Sequence, residues 1–149
     1  MKIIYAPQNV ENFDNTLFLA GSIDMNFAVN WQQEIAEKLA DTDYVLLNPR
    51  RLDWDGSWEN TINEAAFVQQ VTWELDCLEK AKQIVMYFAP TSLSPISLLE
   101  LGLFADSKKI WVCCPEGFWR KGNVDIVCQR HQIRQFVGLD ELIEALKNQ

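Results

Sequence analysis

Ser92-Leu93-Ser94-Pro95-Ile96-Ser97-Leu98-Leu99-Glu100-Leu101-Gly102 is the stretch whose reading decides the fold. It lies in a run, residues 83–105, that is almost wholly apolar or small and carries one charge, Glu100. Residues 84–89 read as a buried strand. Ser94-Pro95 reads as a helix N-cap followed by proline at the first helical position, where a missing N–H costs nothing. Glu100 then falls in the second turn of that helix, just past the end of a central strand. A carboxylate in so apolar a run is costly to bury unless it is paired or used. In open α/β sheets, the ends of the strands are where ligands bind.

Working back from that stretch, residues 61–80 read as a long helix with Phe67, Val71, Glu74 and Leu78 on one stripe. Glu74 sits on or beside an apolar face, a place where an acid ordinarily lies at the wet edge. Its interest comes from Glu100. Residues 44–47 read as a strand closing on Asn48-Pro49-Arg50-Arg51, with two arginines at the ligand-binding edge of a parallel sheet or simply in a solvated loop. Residues 52–60 form a loop with Trp54 and Trp58, which either stack on a flat ring such as a nucleobase or make a lid packed on the body of the domain.

Phe27, Trp31, Ile35 and Leu39 recur every four residues, predicting a helix over 27–39. Residues 2–6 and 17–20 are short strand-like runs. The second ends in Gly21-Ser22-Ile23-Asp24. There a glycine lets a ligand approach the backbone and a helix N-terminus faces an anion; a plain cap at Ser22 or Asp24 explains it equally well. On the other side, Gly102 inside a helix costs about 1 kcal/mol relative to alanine and predicts a close helix contact. Lys108-Lys109 suits the end of the preceding helix. Residues 110–114 predict a strand, 115–122 an aromatic and basic loop, 124–130 a short helix, 134–137 a last strand and 139–146 a terminal helix.

Strands alternating with helices imply one α/β domain over residues 1–149, with a mostly parallel sheet and helices on both faces. Residues 1–7 lack a signal-peptide pattern and no run spans a membrane, so the cytoplasm is the expected compartment. A net charge of −8 argues against a nucleic-acid polymer as partner. Lys108, Lys109, Arg120, Lys121, Arg130 and Arg134 form a local basic excess, a phosphate-binding patch or a solvated face. Cys77, Cys113, Cys114 and Cys128 make no C-x-x-C pair, and His131 is the only histidine. Zinc-ligand spacing is absent. Buried free thiols are the better reading over a Cys/His nucleophile pair.

The order Leu17-Phe18-Leu19-Ala20-Gly21-Ser22-Ile23, Trp31-Gln32, Asn48-Pro49-Arg50-Arg51, Phe67-Val68-Gln69-Gln70-Val71-Thr72-Trp73-Glu74 and Ser97-Leu98-Leu99-Glu100-Leu101-Gly102 resembles the nucleoside 2-deoxyribosyltransferase-like family, from about residue 17 to about 128. The resemblance implies a flavodoxin-like, doubly wound, mostly parallel five-stranded sheet and a homo-oligomer. It implies that Glu100 attacks the anomeric carbon of a 2-deoxyribosyl group, the base leaves, and a sugar–glutamate ester forms that another base or water resolves. Glu74 falls where the family usually has an aspartate that orients substrate and manages the proton of the departing base. Gly21, Ser22 and Ile23 would line the pocket floor, with Asn48, Arg50, Arg51, Trp73 and Ser97 as further substrate-binding positions. Asn123 is the candidate for a residue lent by a neighbouring subunit. No cofactor or metal is called for.

The chain departs from the family pattern at Ser22, often proline, at Glu74, longer than the usual aspartate, and at Lys82, where an aspartate is common. The family includes hydrolases of nucleoside monophosphates, for which Arg50, Arg51 and the basic residues near Arg120 would serve a 5′-phosphate. Four readings follow: a deoxyribosyltransferase, an N-hydrolase using the same site, a binding or sensing protein without turnover, and a structural α/β domain in which Glu100 pairs with a buried arginine.

Overall fold

The computed structural model describes residues 1–23 and 30–149. Within them the elements run β1 (Lys2–Tyr5), β2 (Thr16–Gly21), α1 (Trp31–Lys38), β3 (Val45–Asn48), α2 (Ala65–Lys80), β4 (Gln83–Tyr87), α3 (Pro95–Phe104), a 3-10 turn (Ala105–Ser107), β5 (Ile110–Cys113), α4 (Lys121–His131), β6 (Arg134–Phe136) and α5 (Leu139–Lys147). Every strand pair is parallel, in the order β1-β3-β2-β4-β5-β6.

The expected five-stranded sheet is corrected to six. Strands β2 to β6 alone run β3-β2-β4-β5-β6, the flavodoxin order 2-1-3-4-5. β1 adds on the outer side of β3, with Tyr5 in register with Asn48. The Lys2-Ile3-Ile4-Tyr5 run is apolar enough to pair yet only half-buried, as suits an edge.

Side chains of successive strand residues point to opposite faces, and the sheet accordingly separates two cores. Phe18, Ala20, Ile84, Met86, Phe88 and Val112 pack under α2, α3 and α4, through Leu78, Leu101, Val124 and Cys128. Leu17, Leu19, Leu46 and Val85 pack under α1 and α5, through Trp31, Ile35, Leu142, Ile143 and Leu146. β2 and β4 are sandwiched and read as continuous apolar runs for that reason.

Several boundaries differ from the sequence reading. Trp31, Ile35 and Leu39 are buried as predicted, while Phe27 and Asp24 lie outside the described residues. α1 is capped by Asn30, whose Oδ1 accepts from the Gln33 amide. α2 starts at Ala65 rather than residue 61, because Thr61 and Asn63 close a turn on each other. Pro95 is the first helical residue of α3, but Ser94 adopts φ +46° and its hydroxyl does not cap the helix. Gly102 makes no close contact: a Cβ there would meet nothing within 4 Å. Lys109 serves α2 instead of the helix before it, donating to the Leu78 and Glu79 carbonyls. All four cysteines are free and buried, with burial pushing Cys77, Cys113 and Cys128 up to about 12 and Cys114 to about 11. His131 pairs with Asp106, 2.6 Å away. The basic residues are dispersed: Lys121 pairs with Asp125, Arg120 stacks on Trp119, and Arg134 stacks on Trp111. No helix among the described residues is long and apolar enough to cross a membrane.

Candidate active site

β2 and β4 are hydrogen-bonded neighbours whose chains leave toward opposite sides of the sheet, so a crevice opens at their C-terminal ends. Gly21 ends β2 at φ +131°. A Cβ there would stand 2.7 Å from the Tyr87 nitrogen and closer still to its carbonyl oxygen, so only glycine fits. The next amide, Ser22 N, donates to Tyr87 O at 2.9 Å. Ser22 is fully buried. Its Oγ accepts from the Ala89 amide at 2.9 Å and lies 2.6 Å from Ser94 Oγ, which lies 2.8 Å from Ser92 Oγ. The Trp31 indole donates to Ser22 O. This chain of hydroxyls ties the loop after β2 to the loop after β4 and sets where α3 begins. The serines that read as helix caps are the joints of the crevice.

Ser97 and Glu100 are one turn apart on the buried side of α3, with Glu100 7% exposed. Among the described residues, no donor is hydrogen-bonded to the Glu100 carboxylate and no cation pairs with it. Burial first, and the charge of Glu74 second, push its pKa up to about 8. Glu74 is half-buried on α2. Burial raises its pKa too, and a hydrogen bond from Gln70 Nε2 to Glu74 Oε1, 2.8 Å, works the other way. The two carboxylates singled out in the sequence are near enough for the charge of Glu74 to raise the pKa of Glu100. Among the described residues Glu100 is buried without a partner, which makes it a candidate for chemistry. The reading in which Glu100 pairs with a buried arginine finds no such arginine among the described residues.

The loop after β3 is different. Asn48 is buried, and its Oδ1 accepts from Arg50 N at 2.9 Å. Arg50 Nε donates to Gln32 Oε1 at 3.0 Å; burial lowers its pKa. Arg51 is held by Asp53 at 2.7 Å, by the Ala66 carbonyl, and over the Trp58 ring at 4.7 Å. Gln70 Nε2 donates to Pro49 O as well as to Glu74, both at 2.8 Å. Trp54 and Trp58 meet edge to face at 5.1 Å. Trp58 lies against the Arg51 guanidinium, and neither tryptophan is part of the two cores.

Trp73 donates its indole N–H to Gln8 O and packs beside Phe18, 6.2 Å between centroids. Ile23 follows Ser22 at the rim as the last residue described before the 24–29 segment. Asn123 is not beside Glu100. It lines a groove of about 350 Å³ between α3 and α4, with Leu98, Leu101, Gly102, Trp119 and Val127. Two residues along a helix turn 200°, so Leu98 and Gly102 lie about 160° around α3 from Glu100. Sequence reasoning assigned no role to Gln32 or Gln70, which tie the β3 loop to α1 and α2. Only the polarity of Gln70 next to the Phe67–Leu78 stripe hinted at it.

The family model described as nucleoside 2-deoxyribosyltransferase like matches residues 14–118. The chain belongs to this family. No curated protein matches the chain. The family match takes in β2 to β5, Glu74 and Glu100, and leaves β1 and Asn123 outside it.

Proposed function

We propose that this family member cleaves the N-glycosidic bond of (deoxy)nucleosides through a covalent glycosyl–Glu100 intermediate and passes the sugar to a second base. Glu100 Oε attacks the anomeric carbon as the bond to the base nitrogen breaks. With Glu100 ionised for the attack, the proton of the pair sits on Glu74 and passes to the departing base. The second base attacks the same carbon as it gives its N–H proton back to Glu74, the ester opens, and both carboxyl groups return to their starting state. Two displacements give net retention. The observation that carries this reading is the buried Glu100 carboxylate, without a partner among the described residues, near a second acid at the crevice of the sheet. A carboxylate in that state forms an ester with an oxocarbenium-like centre readily, and its high pKa reports the missing stabilisation that substrate would bring. Gly21, Ser22, Ile23 and Ser97 line the floor, and the protein works in the cytoplasm.

A second reading, hydrolysis of nucleoside 5′-monophosphates, is favoured by one observation. Arg50 Nη2 and Gln32 Nε2 are buried donors without a partner among the described residues, which suits an added oxyanion. Arg51, held on every side, is the weaker candidate for that task.

The site is completed by a neighbouring copy. Ile96, Leu99 and Leu103 on α3 are all more than half exposed, an apolar stripe at helical spacing, and it borders the open Gly102 groove that holds Asn123. A neighbour packed on this face brings its Asn123 to a crevice that Asn123 does not reach within one chain.

The test is chromatography of deoxynucleosides and their 5′-monophosphates incubated with the protein, with and without a second free base. Exchanged nucleoside supports transfer. Free base alone, chiefly from monophosphates, supports hydrolysis. No base release from a folded protein that binds the panel leaves a non-catalytic nucleotide binder.

A further inference from the structure

Gln70 stands on α2 one turn before Glu74 and is 5% exposed. Its single amide nitrogen carries two hydrogens, and both are used. One goes to the Pro49 carbonyl in the loop after β3, the other to Glu74 Oε1, each at 2.8 Å. Turning the amide over would set its oxygen against two acceptors, so the orientation is forced. The consequence is that Gln70 Oε1 is buried with no donor among the described residues. Packing alone would be served as well by methionine or leucine, which leave nothing unsatisfied. The arrangement makes sense when keeping one oxygen of Glu74 in place matters more than satisfying the amide.

We propose that Gln70 is the positioning residue of this site: it clamps Oε1 of Glu74 to the rigid end of β3 and leaves Oε2 as the single oxygen presented to the substrate. This deepens the reading of Glu74 as the group that handles the leaving base, and rests on it. A carboxylate on a free χ3 presents either oxygen over a wide arc. Tied at one oxygen to a backbone carbonyl through one amide, it presents the other within the narrow range that proton transfer requires. The clamp also donates to the ionised form of Glu74, opposing the effect of burial. The other charged groups nearby are Glu100 on α3 and, on the β3 side, Arg50, whose Nε is bonded to Gln32, and Arg51, paired with Asp53; neither is hydrogen-bonded to Glu74 among the described residues.

The experiment compares Gln70→Leu and Gln70→Asn with wild type. Asparagine keeps the amide but is one methylene shorter and cannot span both acceptors. Two readouts are taken. With a substrate identified by the nucleoside panel, kcat falls about tenfold in both variants while KM moves less than threefold. Independently of turnover, the 13C carboxyl titration of Glu74 moves to higher pH in Gln70→Leu, because the ionised form has lost its donor. An unchanged Glu74 titration in folded Gln70→Leu overturns the clamp. So does a kcat loss that merely follows the fraction of folded protein in a melt. If wild type releases no base from any nucleoside, the reading of Glu74 fails while the titration still decides the clamp.

Discussion

The C-terminal edge of the sheet has two halves built on opposite plans. Over β3, Asn48, Pro49, Arg50 and Arg51 are bound by Gln32, Gln70, Asp53, Ala66 and Trp58, and what is left without a partner among the described residues is single atoms, Arg50 Nη2, Gln32 Nε2 and Gln70 Oε1. Over β4, Glu100 is buried and none of the described residues donates to it. The half that carries more charge by count is the more heavily bonded, and the half with a single charge is the one proposed to react. Charge in a sequence marks chemistry only when the fold leaves that charge without a partner.

The sharpest way to break this contrast is to remove one member of each half. Glu100→Gln lowers kcat/KM for the best nucleoside by about 10³-fold or more, a barrier increase of about 4 kcal/mol, with the circular dichroism spectrum unchanged. Arg51→Ala changes kcat/KM less than fivefold and lowers stability by about 1 kcal/mol, from the lost contacts to Asp53 and Trp58. Steady-state kinetics on both variants decides it. An Arg51 variant as dead as the Glu100 variant would end the distinction between scaffold and reactive half.

Two glycines sharpen the same contrast through the backbone. Gly21→Ala puts a Cβ into the Tyr87 backbone at φ +131°, where β2 and β4 part, and destabilises the protein by about 3 kcal/mol. Gly102→Ala enters open space in a helix and raises the stability of the single chain by up to about 1 kcal/mol. Urea unfolding of both variants reads the difference. If the Gly102 groove seats a neighbouring copy, Gly102→Ala also weakens the oligomer, visible in sedimentation.

The sheet and its crevice were legible because the deciding signals are local. Apolar runs at 17–20, 84–89 and 110–114 fix the strands, and Ser94-Pro95 fixes the start of α3. Glu100 was legible because a single charge in an apolar run must be accounted for. The sixth strand was visible as a run at 2–6, while the family resemblance implied five, and the fold follows the run. The pairings were not legible. That Ser94 bonds Ser22 instead of capping α3, that Lys109 serves α2, and that Gln70 joins Pro49 to Glu74 are contacts across 72, 31 and 21 residues or between different elements. No periodicity encodes them. The two arginines looked alike in sequence and differ only in that one found Asp53 and Trp58 and the other Gln32.

The finest test of an unpartnered Glu100 is the pH dependence of stability, where the sign is fixed in advance. Folding raises the Glu100 pKa from 4.5 to about 8, so between those values the folded protein holds a proton that the unfolded chain has released. Stability then falls as pH rises from about 4.5 to about 8 and levels off beyond. The opposite trend would require a folded-state pKa below 4.5, as for a carboxylate in an ion pair. Glutamine does not titrate, so Glu100→Gln removes this one contribution and leaves the other groups common to both proteins. The variant is therefore expected to match wild type near pH 4.5 and to exceed it by about 2 kcal/mol at pH 8; the full shift at about 1.4 kcal/mol per unit sets the ceiling, and relaxation around the new charge lowers it. Urea denaturation of both proteins at intervals from pH 4.5 to 8.5 measures the gap. A gap that widens with pH marks Glu100 as a charge the fold tolerates for its chemistry, while a constant gap or one that narrows would mean that the carboxylate has found a partner and belongs with the scaffold.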